Sequence, residues 1–222
     1  MPNLQVRRWD LWRDRIRRAR ESPRVIPAGA MRYLRGARVQ PGRVVVGPHS
    51  TVRGKGVWQI DGKLTVGVTG MPFNIKGDQT ALLNDGTFHA AGHVLINRGA
   101  RVVIDSGATL EIGNGTFVNA FTIVHATRSI RIGGNCAISW RCEIYDTQYH
   151  ELHYADRRPD RRSVVIGDHV WIGAGSRILD GTVLGDGCVV AAGSIVSGTF
   201  PPRTLLGGAP AHVLRENVDW TL

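Results

Sequence analysis

Cysteine is scarce in this chain of 222 residues: there are three, Cys136, Cys142 and Cys188. Their number is odd and no C-x-x-C spacing occurs, so they carry no zinc or redox signature and are read as small packing residues. Aromatic side chains supply only 7% of the chain, against 28 glycines. That balance excludes large ring-filled layers and predicts many tight turns. No apolar run approaches the roughly 20 residues that span a bilayer, and no signal-peptide apolar core follows the N-terminal arginines. A cytoplasmic protein is expected. Acidic residues are nearly missing from the first 40 positions, where eleven arginines face only Asp10, Asp14 and Glu21. Most of the net charge of +10 therefore sits there, and the remainder is close to neutral.

What is present suffices for one globular domain, because hydrophobic residues make up 42% and charged residues 21%. Ahead of it, LQVRRWDLWRDRIRRARESPR sets Trp9, Trp12, Ile16 and Ala19 at helical spacing among arginines, predicting an amphipathic helix that ends near Ser22-Pro23. A basic helix of this kind suits either the surface of its own domain or a neighbouring subunit, or peripheral contact with an anionic membrane. Nucleic acid is not expected, since no binding module or alternation of aromatic and basic residues follows. The chain divides into a basic helical extension over 1–37, a main domain over 38–215 and a tail over 216–222.

From residue 166 the sequence becomes periodic. Ile166, Ile172, Ile178, Leu184, Val190 and Val196 each lie six apart, and four residues after each stand Val170, Ser176, Thr182, Cys188, Ser194 and Phe200, mostly small. A helix turning about 100° per residue would scatter a six-residue step around its circumference. A strand keeps its phase over an even step, so the small residue and the following aliphatic both face inward, and GD, GAG, LDG or GDG supply a bend. Such a unit buries its inner face only by stacking, which makes a parallel β-helix. Ile112, Val118 and Val124 obey the same rule, as do Ile132, Ile138 and Ile144 after a slip of two residues. Ile96, Ile104 and Ile112 are eight apart, predicting wider early coils. Within 52–95, VWQIDGKLTVGV reads as strands and MPFNIKGDQTALLNDGTFHAAGH as an irregular or turn-rich excursion. Between Ile144 and Ile166 the repeat is broken by a loop over 145–163 that holds His150, His153 and four arginines.

The run VVIGDHVWIGAGSRILDGTVLGDGCVVAAGSIVSGTFPPRTLLGGAPAHVLRE, together with HELH after the broken coil, resembles the hexapeptide-repeat acyltransferases. Within them the likeness is to the galactoside and maltose O-acetyltransferases and related polysaccharide O-acetyltransferases, over about residues 96–215, more weakly over 38–95 and not at all over 1–37. The resemblance implies an all-β fold, a left-handed parallel β-helix of triangular section, which departs from the right-handed crossover rule. It also implies a homotrimer with active sites between subunits, acetyl-CoA as cosubstrate, and no metal.

By the same resemblance His150 is the general base that takes the proton of an acceptor hydroxyl, a role imidazole suits at neutral pH. Asn119, in GTFVNAFTIV, matches an asparagine that contacts the reacting groups; it also suits a corner that needs αL geometry. Phe117 stands where those enzymes often have tyrosine, so the acceptor is expected to differ. Asp146 is placed either to orient the imidazole or to cap the turn. Trp171, Gly173, Ala174, Gly175, Ala192 and Gly193 occupy the coils that line the pantetheine groove in the family, with corner filling as the other role for each. Arg203 and Arg215 are the cations available to the adenosine end, where Gly208-Ala209-Pro210-Ala211-His212 lacks the family's lysine. Arg157, Arg158, Arg161 and Arg162 alternate with Asp156 and Asp160 and suit either an anionic acceptor or a solvated loop. No serine or cysteine stands in a nucleophile context, so direct transfer in a ternary complex is expected. The alternatives are an N-acyltransferase on an amino sugar, a γ-class carbonic anhydrase with zinc on His125, His150 and His153, and a β-helix without catalysis.

Overall fold

The computed structural model describes residues 44–68, 70–75, 77–150 and 163–222. The expected N-terminal helix, His153 and the arginines of the 145–163 loop lie outside the described residues. Those residues form 23 strands and no helix. The strands assemble into one nine-stranded and two seven-stranded sheets, and each sheet takes every third strand of the chain. That order is the parallel β-helix the repeat predicts, of the left-handed kind the family resemblance implies: a prism whose three faces are sheets and whose three edges are corners.

Face one runs from Val44–Val46 through Phe117–Val118, Ala137–Ile138, Trp171–Ile172 and Val189–Val190 to Leu205–Gly208. It closes with an antiparallel strand, Ala211–Arg215. Face two includes Thr80–Asn84, Arg101–Ile104, Ile123–Ala126, Glu143–Tyr145 and Arg177–Ile178, and face three includes Thr109–Gly113, Ser129–Ile132 and Val164–Ile166. Inward positions stack in columns. Val118, Ile138, Ile172 and Val190 pair in succession on face one, and all are buried. Full burial of each such side chain contributes roughly 1.5–3 kcal/mol. The widest coils hold the largest rings, with Trp58 edge-on to Phe88 at 5.9 Å.

The small inward residues close the corners. Thr122 Oγ1 donates to the Ser139 carbonyl at 2.6 Å and accepts the Cys142 amide at 3.1 Å. Thr116 does the same between Gly133 and Cys136. The three cysteines stand at equivalent points, buried and free. Their thiols point at backbone carbonyls of the next coil: Cys136 at Gly167, Cys142 at Gly173 and Cys188 at Pro201. Burial pushes the thiols of Cys136 and Cys142 up to about 11.

Coils tighten along face three. Ile60 pairs with Ala90, Ala90 with Ile112, Ile112 with Ile132 and Ile166 with Leu184, so the spacing falls from 30 to 22, 20 and 18 residues. Only part of the MPFNIKGDQTALLNDGTFHAAGH stretch is irregular: Thr80–Asn84 and Thr87–Ala91 are regular strands, and the excursion is confined to 67–79. The 145–163 loop leaves the register intact, since Ile132 pairs with Ile166 and Ile144 with Ile178 across it.

Candidate active site

The expected site residues fall on all three edges. On the edge between faces one and two, backbone bonds tie successive corners. The amide of Arg141 donates to Ala120, that of Gly175 to Trp140 and that of Gly193 to Ala174, at 2.9–3.1 Å. Asn119, Gly173, Ala174, Gly175, Ala192 and Gly193 therefore share one continuous edge, and Trp171 stands beside it, exposed, with its indole N–H on Ser139 Oγ at 3.2 Å. Gly173 is required by coil stacking, because a Cβ there would come within 2.6 Å of the Val190 carbonyl oxygen. Gly193 faces open space and is held at a φ of 74°. Its conformation favours glycine and leaves the backbone approachable.

Asn119 is buried, and its Oδ1 accepts the Asn97 amide N–H at 2.6 Å. Phe117 lies outward on face one in an apolar cluster with Ala137, Val189 and Trp220. Arg203 occupies the edge between faces three and one, with its carbonyl bonded by the Val218 amide. Arg215 pairs with Leu205 at the same end of face one. One chain thus separates both arginines from the glycine edge by the width of a sheet.

His150 belongs to the third edge, between faces two and three, where the 145–163 loop departs. The root of that loop is anchored. Asp146 is fully buried, and its carboxylate accepts the amides of Thr127, Arg128 and Ser129 and the Thr127 hydroxyl at 2.7–2.9 Å. Of the two roles open to Asp146, its bonds supply the turn cap. Gln148 reaches Asp180 at 2.8 Å. Tyr149, in a left-handed conformation at a φ of 59°, sets its hydroxyl 2.7 Å from His125 Nδ1, and His125 Nε2 lies 3.1 Å from Asp105. Desolvation, with smaller contributions from Asp105 and Asp146, raises the Tyr149 phenol above its ordinary value. Its proton stays in place to bridge to His125. His150 follows, exposed, with Nδ1 3.1 Å from the Gln148 carbonyl. If Nδ1 carries the proton in that contact, Nε2 is left as the acceptor.

The Asp105–His125–Tyr149 array escaped the sequence reading, which weighed His125 only as a zinc ligand. Among the described residues no group of three His, Cys, Asp or Glu side chains could hold a metal. A signal was available: a coil of 22 residues pairs His125 with Val103, two residues from Asp105.

The model of the bacterial transferase hexapeptide family (six repeats) matches residues 163–198. The chain is 28% identical over 144 residues to the putative lipopolysaccharide biosynthesis O-acetyl transferase of Escherichia coli, covering 60% of this chain and 74% of that protein. It is 31% identical over 121 residues to galactoside O-acetyltransferase of Escherichia coli, where it spans 53% of this chain and 59% of the relative. Its fold is similar to that of a polysialic acid O-acetyltransferase, with a TM-score of 0.54 at 20% identity over 81% of this chain and 87% of the other.

Proposed function

We propose that this chain, whose residues 163–198 match the bacterial transferase hexapeptide family, moves an acetyl group from acetyl-CoA to a hydroxyl of a sugar or other glycan-type acceptor. The observation that carries the catalytic assignment is the anchored root of the 145–163 loop, which holds an exposed imidazole at a corner of the prism. His150 takes the proton of the acceptor hydroxyl as the oxygen attacks the thioester carbonyl carbon. The tetrahedral oxyanion is met by a backbone N–H; as it collapses the carbon–sulfur bond breaks, and the sulfur leaves with the proton from His150. Asn119 contacts the reacting groups. Gly173, Ala174, Gly175, Ala192 and Gly193 offer backbone to the pantetheine arm, with Trp171 beside them. Arg203 and Arg215 supply cations for the phosphates.

Asn119 and His150 flank face two from opposite edges, with the strands Ile123–Ala126 and Glu143–Tyr145 running between them. A site that uses both is therefore composed from two copies, which supports a homotrimer with sites between subunits. We assign the activity to the cytoplasm, in keeping with a thioester cosubstrate and free thiols at all three cysteines. Among the described residues no helix is long and apolar enough to cross a membrane.

The test is thiol release from acetyl-CoA with sugar hydroxyl and amino-sugar acceptors. The wild type should favour hydroxyl acceptors, and His150→Ala should lower kcat by roughly 10²–10⁴ with no change in melting temperature. Preference for the amine would replace this reading with N-acylation, and unaltered turnover in the variant would remove His150 from it.

A further inference from the structure

We propose that Phe73, Phe121 and Trp140 form a platform on which a pyranose ring of the acceptor stacks, immediately beyond the glycine-lined part of the same edge. The inference rests on the glycan reading above and adds the place where the sugar lies.

Three observations carry it. The first is conformational. On this edge the third corner residue of each coil is left-handed: Gly99, Phe121, Arg141, Gly175 and Gly193 have φ values of 87°, 62°, 57°, 72° and 74°. Glycine fills three of these without strain, whereas a bulky side chain there is a genuine outlier. Left-handed corners elsewhere in the prism carry Asn135, His169 and Arg203, and Phe121 is the one that sets an aromatic ring on this edge. The second is the arrangement of rings. Phe73 stacks on Phe121 at 6.2 Å and 26° and meets Trp140 edge-on at 5.7 Å. Phe73 and Trp140 remain 47% and 39% exposed, a large apolar surface left open to solvent. The excursion that delivers Phe73 is braced: Asn74 accepts the Met71 amide at 2.6 Å, donates to Asp78 at 2.7 Å and reaches the Arg98 carbonyl at 3.3 Å.

The third is position. Phe121 is two residues from Asn119, and Trp140 accepts the Gly175 amide, so the platform adjoins both the asparagine and the glycine edge. Asn97 Oδ1 and Arg98 Nε, on the neighbouring coil, are buried without hydrogen-bond partners among the described residues. Open aromatic faces flanked by polar groups suit a pyranose, whose axial C–H face is apolar and whose rim of hydroxyls donates and accepts.

Phe121→Gly tests the proposal without endangering the fold, since glycine relieves the left-handed corner. Trp140→Ala is the second variant. Saturation-transfer NMR with methyl galactoside, methyl glucoside and methyl N-acetylneuraminate, without acetyl-CoA, should show binding to the wild type that weakens about tenfold in each variant. In turnover the acceptor KM should rise by a similar factor while the KM for acetyl-CoA stays within about twofold. No pyranoside binding to the wild type, or an acceptor KM unmoved in both variants, would overturn the proposal. So would a rise in the acetyl-CoA KM alone, or a change of oligomeric state in place of the KM effect, which would make the rings a cofactor or subunit contact. Pyranoside binding lost in the variants from a wild type that releases no thiol would defeat O-acetylation and leave the platform standing.

Discussion

Asp146 anchors the root of the loop four residues before His150, the proposed base. Its carboxylate gathers three backbone amides and a hydroxyl, so Asp146→Ala would leave buried donors without acceptors. The expected loss is at least about 3 kcal/mol, read as a lower melting temperature, with a fall in kcat as His150 loses its mount. Tyr149→Phe is milder, because the ring is exposed and only its bond to His125 is removed. It should lower kcat about three- to tenfold through the position of His150 and leave both the acetyl-CoA KM and the melting temperature nearly unchanged. The buried thiols give a pH prediction. Cys136 and Cys142 are raised from 9.0 to about 11 by burial, so folded and unfolded chains are equally protonated below 9. Between 9 and 11 the unfolded thiols ionise first, and stability should fall as pH rises through that window. Chemical denaturation across this range checks the sign, and neither thiol should react with Ellman's reagent at pH 8 until the chain unfolds.

At the scale of elements the C-terminal tail is a structural part of the prism. Val218 and Trp220 cover the outward residues Phe117, Ala137 and Val189 of face one. The Trp220 ring stacks on His169 at 4.5 Å and 8°, and its indole N–H donates to the His169 carbonyl at 2.8 Å. Trp220→Ala should cost about 3 kcal/mol in thermal or denaturant unfolding. The hexapeptides were legible because an even step keeps inward residues in phase, and Ile166 through Val196 all point inward as that rule requires. Thr80–Ala91 was not, because its coil is 30 residues long and no six-residue period survives there. The tail and the Phe73 excursion were hidden for a different reason. Each is held by long-range packing, across 51 residues for Trp220 and His169, which no local pattern records. In the candidate site, the repeat made legible that His150 follows the broken coil and that the glycines share one edge, whereas the Asp105–His125–Tyr149 array exists only once coils stack.

At the scale of the whole molecule, a prism can bring its edges together only by meeting another prism. His150 lies on one edge of face two and Asn119 on the other, so in the proposed trimer a copy that supplies the base at one interface supplies the asparagine at the next. In a cyclic trimer this heterologous contact closes and repeats three times. Complementation follows. His150→Ala and Asn119→Ala should each be nearly inactive alone. Co-refolded in equal amounts, they place an intact imidazole against an intact asparagine at one interface in four, so about a quarter of wild-type turnover should return. Size-exclusion chromatography verifies that mixed trimers have formed, and thermal unfolding of Asn119→Ala verifies that loss of its bond to Asn97 has not unfolded the corner. Mixed trimers without recovered turnover would place both residues' work within one chain or remove one of them from catalysis. Recovery near a quarter would fix the active site at the subunit boundary.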